Sequence, residues 1–247
     1  MDKISRQEQD DLQSAIDQSS VIIIAQTLQS LVVHPSVSHK ILHTIADPKT
    51  CERTRIDWAS LWVQQQVVLR ACVRENPAVR LFIKSARGIS EIAGYRGTVF
   101  EAFCHSLVMK GGKLRVRDLE TNRVSRKDFP CRLGNLEVFK CLAEVARKDD
   151  NVYSRPLSKN LAAVDAIVQP NILLQITVAQ RHEVDAYGLL QALDVLRDPK
   201  GACLYFVVPP EDFGGYPKQA LKNVRKVMPV HLPLLHAVKQ CALELKL

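Results

Sequence analysis

The sequence predicts an α/β fold built on a mixed sheet flanked by helices. Three segments carry that prediction. Lys113–Leu119 alternates polar and apolar residues, as a strand with one solvated face does. Cys203-Leu-Tyr-Phe-Val-Val208 is almost wholly apolar, which suits a strand covered on both faces. Between them, Asp185–Leu196 sets Leu189, Ala192, Leu193 and Leu196 on one helical face. Strands and helices in such succession pack as layers around a common core.

Taken in chain order, residues 1–94 read as a helical extension and 95–247 as the α/β domain. Ser20 can cap a helix running through Ile24, Leu28 and Leu31, which Val33-His34-Pro35 ends. Ile56, Trp58, Leu61, Trp62 and Val67-Val-Leu69 approximate a second apolar helical face, with the Trp pair in the core. A helix over Thr98–Met109 closes at Gly111-Gly112, because glycine accepts the left-handed backbone of a helix end. Residues 120–160 are polar and irregular, with a short strand and helix between Leu133 and Val145. Ala163–Val168 and Ile172–Val178 form a hairpin across the turn Gln169-Pro170-Asn171. Pro209-Pro210 stops the apolar strand. A helix over Lys218–Val227 and an apolar C-terminal segment complete the pattern.

Composition narrows the classes. Of 247 residues, 47% are hydrophobic and 24% charged, enough apolar content for a packed core. A net charge of +8 favours polyanions, nucleic acid first. Seven cysteines, an odd count without a CxxC pair, argue against a disulfide framework and a structural zinc site. They read as reduced core thiols of a cytosolic or nuclear protein. The longest apolar runs, Val21–Ala25 and Ala202–Val208, are too short to cross a bilayer, and the first ten residues lack a signal-peptide core. The expectation is an intracellular protein with no membrane partner. P-loop, GxGxxG, HExxH, EF-hand and GxSxG motifs do not occur. An aromatic fraction of 6% gives no base-stacking platform.

One constellation remains. Glu101 lies in the helix before the first strand, Asp165 in the first strand of the hairpin, and Gln175 and Thr177 on one face of the next. The turn can bring that face near Asp165. A carboxylate pair, Glu101 and Asp165, can hold Mg²⁺ with retained waters, and the carbonyl of Ile176 can complete the coordination. The metal would activate a water and stabilise charge on a phosphate. Each residue also has a plainer reading. Glu101 can be a solvated helix position, Gln175 can satisfy backbone groups, and His105, four residues after Glu101, can be a core histidine. His182 reads as a phosphate contact or as a neighbour of a helix cap. Lys113, Arg115, Arg117, Lys159 and Arg181 are the basic residues placed to touch a nucleic-acid backbone. Arg115 and Arg117 would also serve as the charged guard of a sheet edge.

Gly97-Thr-Val-Phe-Glu-Ala-Phe-Cys-His-Ser-Leu107, Gly111-Gly112 and Val116-Arg-Asp-Leu119 form one block; Leu161 through His182, with Asp165-Ala-Ile and Gln175-Ile-Thr-Val178, form another. Leu204-Tyr-Phe-Val-Val-Pro209 follows. In order and spacing, roughly over 95–210, these blocks resemble the C-terminal domain of Crinkler effectors and retrotransposon hot-spot proteins. The resemblance implies a restriction-endonuclease-like PD-(D/E)XK fold joined to a P-loop ATPase, and an effector secreted to act inside host cells, often in nuclei. It implies Mg²⁺-dependent cleavage of nucleic acid, with Asp165 as the central acid, Glu101 as the helix-borne acid and Gln175 at the (D/E) position. Thr177 stands where that pattern has lysine. A neutral hydroxyl cannot replace the ammonium, so an interaction module on the same fold, binding DNA or a host protein, is the alternative. Residues 1–94 would then be a remnant of the ATPase's helical end or a partner-binding surface.

Overall fold

A computed structural model describes residues 42–46, 49–50, 53–58, 76–88, 93–108, 111–129, 136–157 and 163–245. The expected helix at Ser20–Val32 lies outside them. The chain divides into two compact units, Met1–Phe103 and Cys104–Leu247. Among the described residues, no helix is long and apolar enough to cross a membrane.

The first unit holds a hairpin and helices. Strands β1 (Leu42–Ala46) and β2 (Arg53–Trp58) pair antiparallel, with an irregularity between Ile45 and Ala46. This corrects the helical reading of the segment around Ile56 and Trp58. Thr54, Ile56 and Trp58 are β-favouring types at alternate positions, and that period of two decides the structure there. Helix α1 (Asn76–Ser85) buries Val79 and Ile83, one turn apart. Arg96 donates from Nε to the carbonyl of Ile83 at 2.7 Å, placing a cation on an orphan acceptor at the helix C-terminus. Arg80 lies 5.9 Å over the ring of Phe103.

Helix α2 (Ala93–Val108) begins in the first unit and ends in the second. Its closure follows the sequence. Gly111 and Gly112 take φ of 65° and 109°, and the amide of Gly111 donates to Val108 at 2.9 Å. A residue with a Cβ would be strained at both positions.

The second unit is a mixed eight-stranded sheet with helices. Its strands are β3 (Gly112–Asp118), β4 (Val124–Phe129), β5 (Leu136–Phe139), β6 (Tyr153–Pro156), β7 (Ala166–Val168), β8 (Ile172–Ile176), β10 (Cys203–Val208) and β12 (Lys239–Glu244). The order across the sheet is β4-β3-β12-β10-β8-β7-β6-β5. β8, β10 and β12 run parallel, with β10 in the middle. All six residues of β10 are buried, as its apolar sequence requires. Between β8 and β10 runs helix α4 (Ala186–Leu193). Helices α5 (Pro210–Phe213) and α6 (Leu232–Ala237) lie between β10 and β12. Leu189, Ala192 and Leu193 of α4 share one core with Leu173, Leu204, Phe206 and Ala242 of the sheet.

Two expectations are corrected, and one segment of unassigned type is placed. The polar stretch before residue 130 contains β4, an edge strand with five of six residues exposed. Ser125, Arg126, Lys127 and Asp128 suit an edge that must not pair with another chain, and such a strand shows no apolar alternation. Lys218–Val227 is not a helix. β11 (Leu221–Lys222) pairs parallel with β9 (Val184–Asp185), and Asn223 takes φ of 58°, which breaks a helical run before a short 3₁₀ turn. The apolar C-terminal segment is β12, inserted between β10 and β3.

The β7–β8 turn is tied to two helix ends by one side chain. Gln169 is fully buried. Its Nε2 donates to the carbonyls of Val145 at 3.1 Å and Val195 at 2.7 Å, and its Oε1 accepts from the amide of Arg197 at 3.0 Å. Val145 ends the short helix α3 (Leu142–Val145), and Val195 and Arg197 follow α4. Gln169→Ala should cost about 2–4 kcal/mol, since buried partners are left unmade. Urea unfolding measures it. A loss below about 1 kcal/mol would mean that water takes the place of the amide.

Candidate functional site

Asp165 stands at the bend that leads into β7, opposite the end of β8. The backbone sets it there: its amide donates to the carbonyl of Leu174 at 2.7 Å, which prolongs the hairpin by one residue. Its side chain then closes the hairpin. Oδ2 accepts from the amide of Ile176 at 2.6 Å and from Gln175 Nε2 at 2.9 Å. The expected juxtaposition of Asp165 and Gln175 is therefore present, and both come from the same turn. Ile176 meets Asp165 through its N–H, where a carbonyl toward a metal was expected.

Gln175 and Thr177 are both buried, each 8% exposed. In the β8–β10 register Gln175 lies opposite Phe206 and Ile176 opposite Val207, and the amide of Thr177 donates to Val207 at 3.0 Å. The Thr177 hydroxyl accepts from the amide of Ala179 at 3.0 Å, so it shapes the exit of the chain from β8. It carries no charge toward Asp165.

Glu101 belongs to α2 within the first unit and is half-buried. Lys159 lies outside the described residues. Arg181 is exposed between β8 and β9, and Lys113 is exposed on β3. Arg117 departs from the expected phosphate-tracking role. It is 7% exposed, and its guanidinium donates to the carbonyls of Phe213 at 3.0 Å and Tyr216 at 2.5 Å and to Asn122 Oδ1 at 2.7 Å. This arginine anchors the chain after α5 to β3. Arg115 is shared: Nη1 donates to both oxygens of Glu244 at 3.0 and 2.8 Å, and its guanidinium lies 5.0 Å over the Phe213 ring.

His105 takes the plainer reading of a core histidine. His105 is buried with Nδ1 2.6 Å from the hydroxyl of Tyr153. The amide of His182 donates to Gln219 Oε1 at 2.7 Å. Burial, then the nearby charge of Lys222, hold the His182 imidazole below its ordinary pKa, which favours the neutral ring.

Sequence reasoning missed Glu244. It reads as one acid in the apolar run Cys241-Ala-Leu-Glu-Leu245, and a buried carboxylate in such a run requires a partner; that was the available signal.

The donor set around Asp165 decides its fit to a metal. Mg²⁺ takes oxygen ligands. In the second unit Asp165 Oδ2 is met by two N–H groups, and Gln175 presents its amide nitrogen. Among the described residues no group of three His, Cys, Asp or Glu side chains is gathered as a metal would require. At Oδ2 these neighbours fit a hydrogen-bond acceptor, and the side chain of Gln175 offers that oxygen a nitrogen where Mg²⁺ would take an oxygen.

That fit has a measurable consequence. Asp165→Ala should destabilise the chain by about 1–3 kcal/mol, because two donors lose their acceptor. Asp165→Asn keeps an acceptor oxygen and should stay within about 1 kcal/mol of the parent. Thermal unfolding without metal compares the three. A more stable Asp165→Ala protein would instead reveal a carboxylate kept at a cost for function.

Comparison with protein-family models, curated proteins and solved structures finds no match to this chain.

Proposed function

We propose that this chain is a Crinkler-like module on a PD-(D/E)XK-type fold that binds nucleic acid and does not hydrolyse it. The fold half of that reading rests on the resemblance and on the mixed sheet whose β7–β8 hairpin sets Asp165 beside Gln175. The binding half rests on the net charge of +8 and on cations along β3 and β4.

The observation that carries the absence of hydrolysis is the hydrogen bonding at Oδ2 of Asp165. Asp165 Oδ2 accepts from Ile176 N and Gln175 Nε2. A metal-dependent phosphodiesterase needs that carboxylate on a cation and a positive group beside it. Thr177 at the lysine position supplies no positive charge and spends its hydroxyl on Ala179. What remains is a scaffold that retains the shape of the catalytic hairpin. By the same resemblance, the module acts inside a host cell, in nucleus or cytoplasm, and works with a P-loop ATPase partner.

Labelled single- and double-stranded DNA and RNA, incubated with Mg²⁺, Mn²⁺ or EDTA, test both halves. The expected result is binding of equal strength in Mg²⁺ and in EDTA, weakening steeply with salt, with the substrate intact. Cleavage that needs metal and is lost in both Asp165→Ala and Glu101→Ala would overturn the reading and assign a nuclease. Folded protein that binds no nucleic acid would redirect the module to a protein partner.

A further inference from the structure

The β3–β4 hairpin places two like charges face to face. Arg115 on β3 is the direct cross-strand partner of Arg126 on β4. Side chains so paired have Cβ atoms about 5 Å apart, and like charges there are destabilising. One of the two charges is compensated. Glu244 is the partner of Arg115 on the other side, on β12, and holds Arg115 Nη1 with both oxygens. Arg126 has no ion pair or hydrogen bond among the described residues. Lys113, two residues before Arg115 on the same face, is exposed and stands opposite Asp128 without an ion pair between them.

Lys113, Arg115, Arg126 and Glu244, together with Leu107 and Leu245, line a cavity of about 330 Å³. Three cations and one carboxylate leave a net of +2 (3 − 1) around it. We propose that this cavity is a binding site for a phosphate group, with Arg126 and Lys113 as its free cations and Glu244 as the positioning residue for Arg115. A phosphodiester of nucleic acid carries about −1 and a phosphate monoester about −1.5 to −2 at neutral pH, so either is opposite in sign to that excess and is not repelled by the single carboxylate. Arg115 is already oriented. Its Nη1 is taken by Glu244, its guanidinium lies over Phe213, and the side chain is still 43% exposed and lines the cavity. A guanidinium held in this way presents its fork without losing further freedom on binding.

The location ties the site to the nucleic-acid reading, on which the identity of the ligand rests. Ile176 faces Val207, and Val208 faces Glu244, which faces Arg115, which faces Arg126. Continuing the first pair by one residue puts Thr177 beside Val208. Thr177, Val208, Glu244, Arg115 and Arg126 therefore form one row across five strands, about 19 Å long at about 4.8 Å per strand. Thr177, Val208 and Glu244 are buried in that row, so the site opens to solvent at its hairpin end, where Arg115 and Arg126 are exposed.

The test uses the full chain with a fluorescent single-stranded oligonucleotide, read by anisotropy, and with pyrophosphate, read by calorimetry. Arg126→Glu and Lys113→Glu should weaken oligonucleotide binding at least tenfold, and Arg126→Ala should reduce the salt slope by about 1. Arg126→Lys should stay within threefold. Arg126→Glu should melt no lower than the parent, because it turns a like-charge pair with Arg115 into an opposite one. Binding lost with stability kept separates a ligand site from a structural role. Unchanged oligonucleotide affinity in Arg126→Glu overturns the site and leaves the nucleic-acid reading standing. Pyrophosphate binding that depends on Arg126, without oligonucleotide binding, upholds the site, assigns it to a small phosphate ligand and defeats the nucleic-acid reading. Failure to bind either probe overturns the site.

Discussion

The geometry around Asp165 depends on the amide of Gln169. This side chain sits in the turn of the β7–β8 hairpin, with no exposure, and bonds to the ends of two helices. A buried amide is costly unless its donors and acceptor are met, and here both are. The bonds lock the hairpin in one position against α3 and α4. Asn171 extends the lock: its Nδ2 donates to Asp198 Oδ2 at 2.8 Å, and Asp198 Oδ1 accepts from Gly201 at 2.9 Å just before β10. The turn thus fixes the entry of β10 as well as the hairpin itself. At the hairpin's other end, Asp165 performs the matching task by accepting from the last amide of β8.

The positive charge of the chain divides into different kinds of work. Arg117 is a structural donor, spent on two carbonyls and an asparagine. Lys127 donates to the hydroxyl of Tyr205 at 2.6 Å, and Lys239 pairs with Asp118 at 2.7 Å, so neither is idle. The carboxyl of Asp118 is held well below the usual carboxylate range by Lys239 and by the amide of Thr121. Net charge alone therefore overstates what is available to a polyanion. Arg126 and Lys113, with the outer edge of Arg115, are cations on this sheet edge not consumed by the fold.

How much of this was legible follows from period and partner. β8, β10 and α4 were readable because each buries a face at its own period, and proline and asparagine mark the turn between β7 and β8. The Asp165–Gln175 meeting was readable because a tight turn leaves little freedom of register. β4 and β6 were not readable. β4 is an exposed edge, and β6 has four residues, too few for a period to emerge. The segment at 218–227 has helix-forming residues, but Asn223 in a left-handed conformation overrides them. Arg117 looked like Arg115 in sequence. What separates them is the chain after α5, far away in sequence, which turns its carbonyls onto one and leaves the other at the rim. The polarity at Ile176 was inverted for a similar reason. A sequence shows that a backbone group lies near an acid but not which of its two dipoles faces it.

The two ends of the row from Thr177 to Arg126 consequently differ in electrical state. At the Asp165 end, Oδ2 of the carboxylate is met by two N–H groups. At the hairpin end, two arginines face each other with one carboxylate between β12 and β3 to balance them. A phosphate gains most at that end, because it supplies the charge that the fold withholds. In the proposed reading an anion is held at the hairpin and is not turned over at Asp165. The same distribution of charge thus accounts for both affinity and the absence of hydrolysis in the proposed reading.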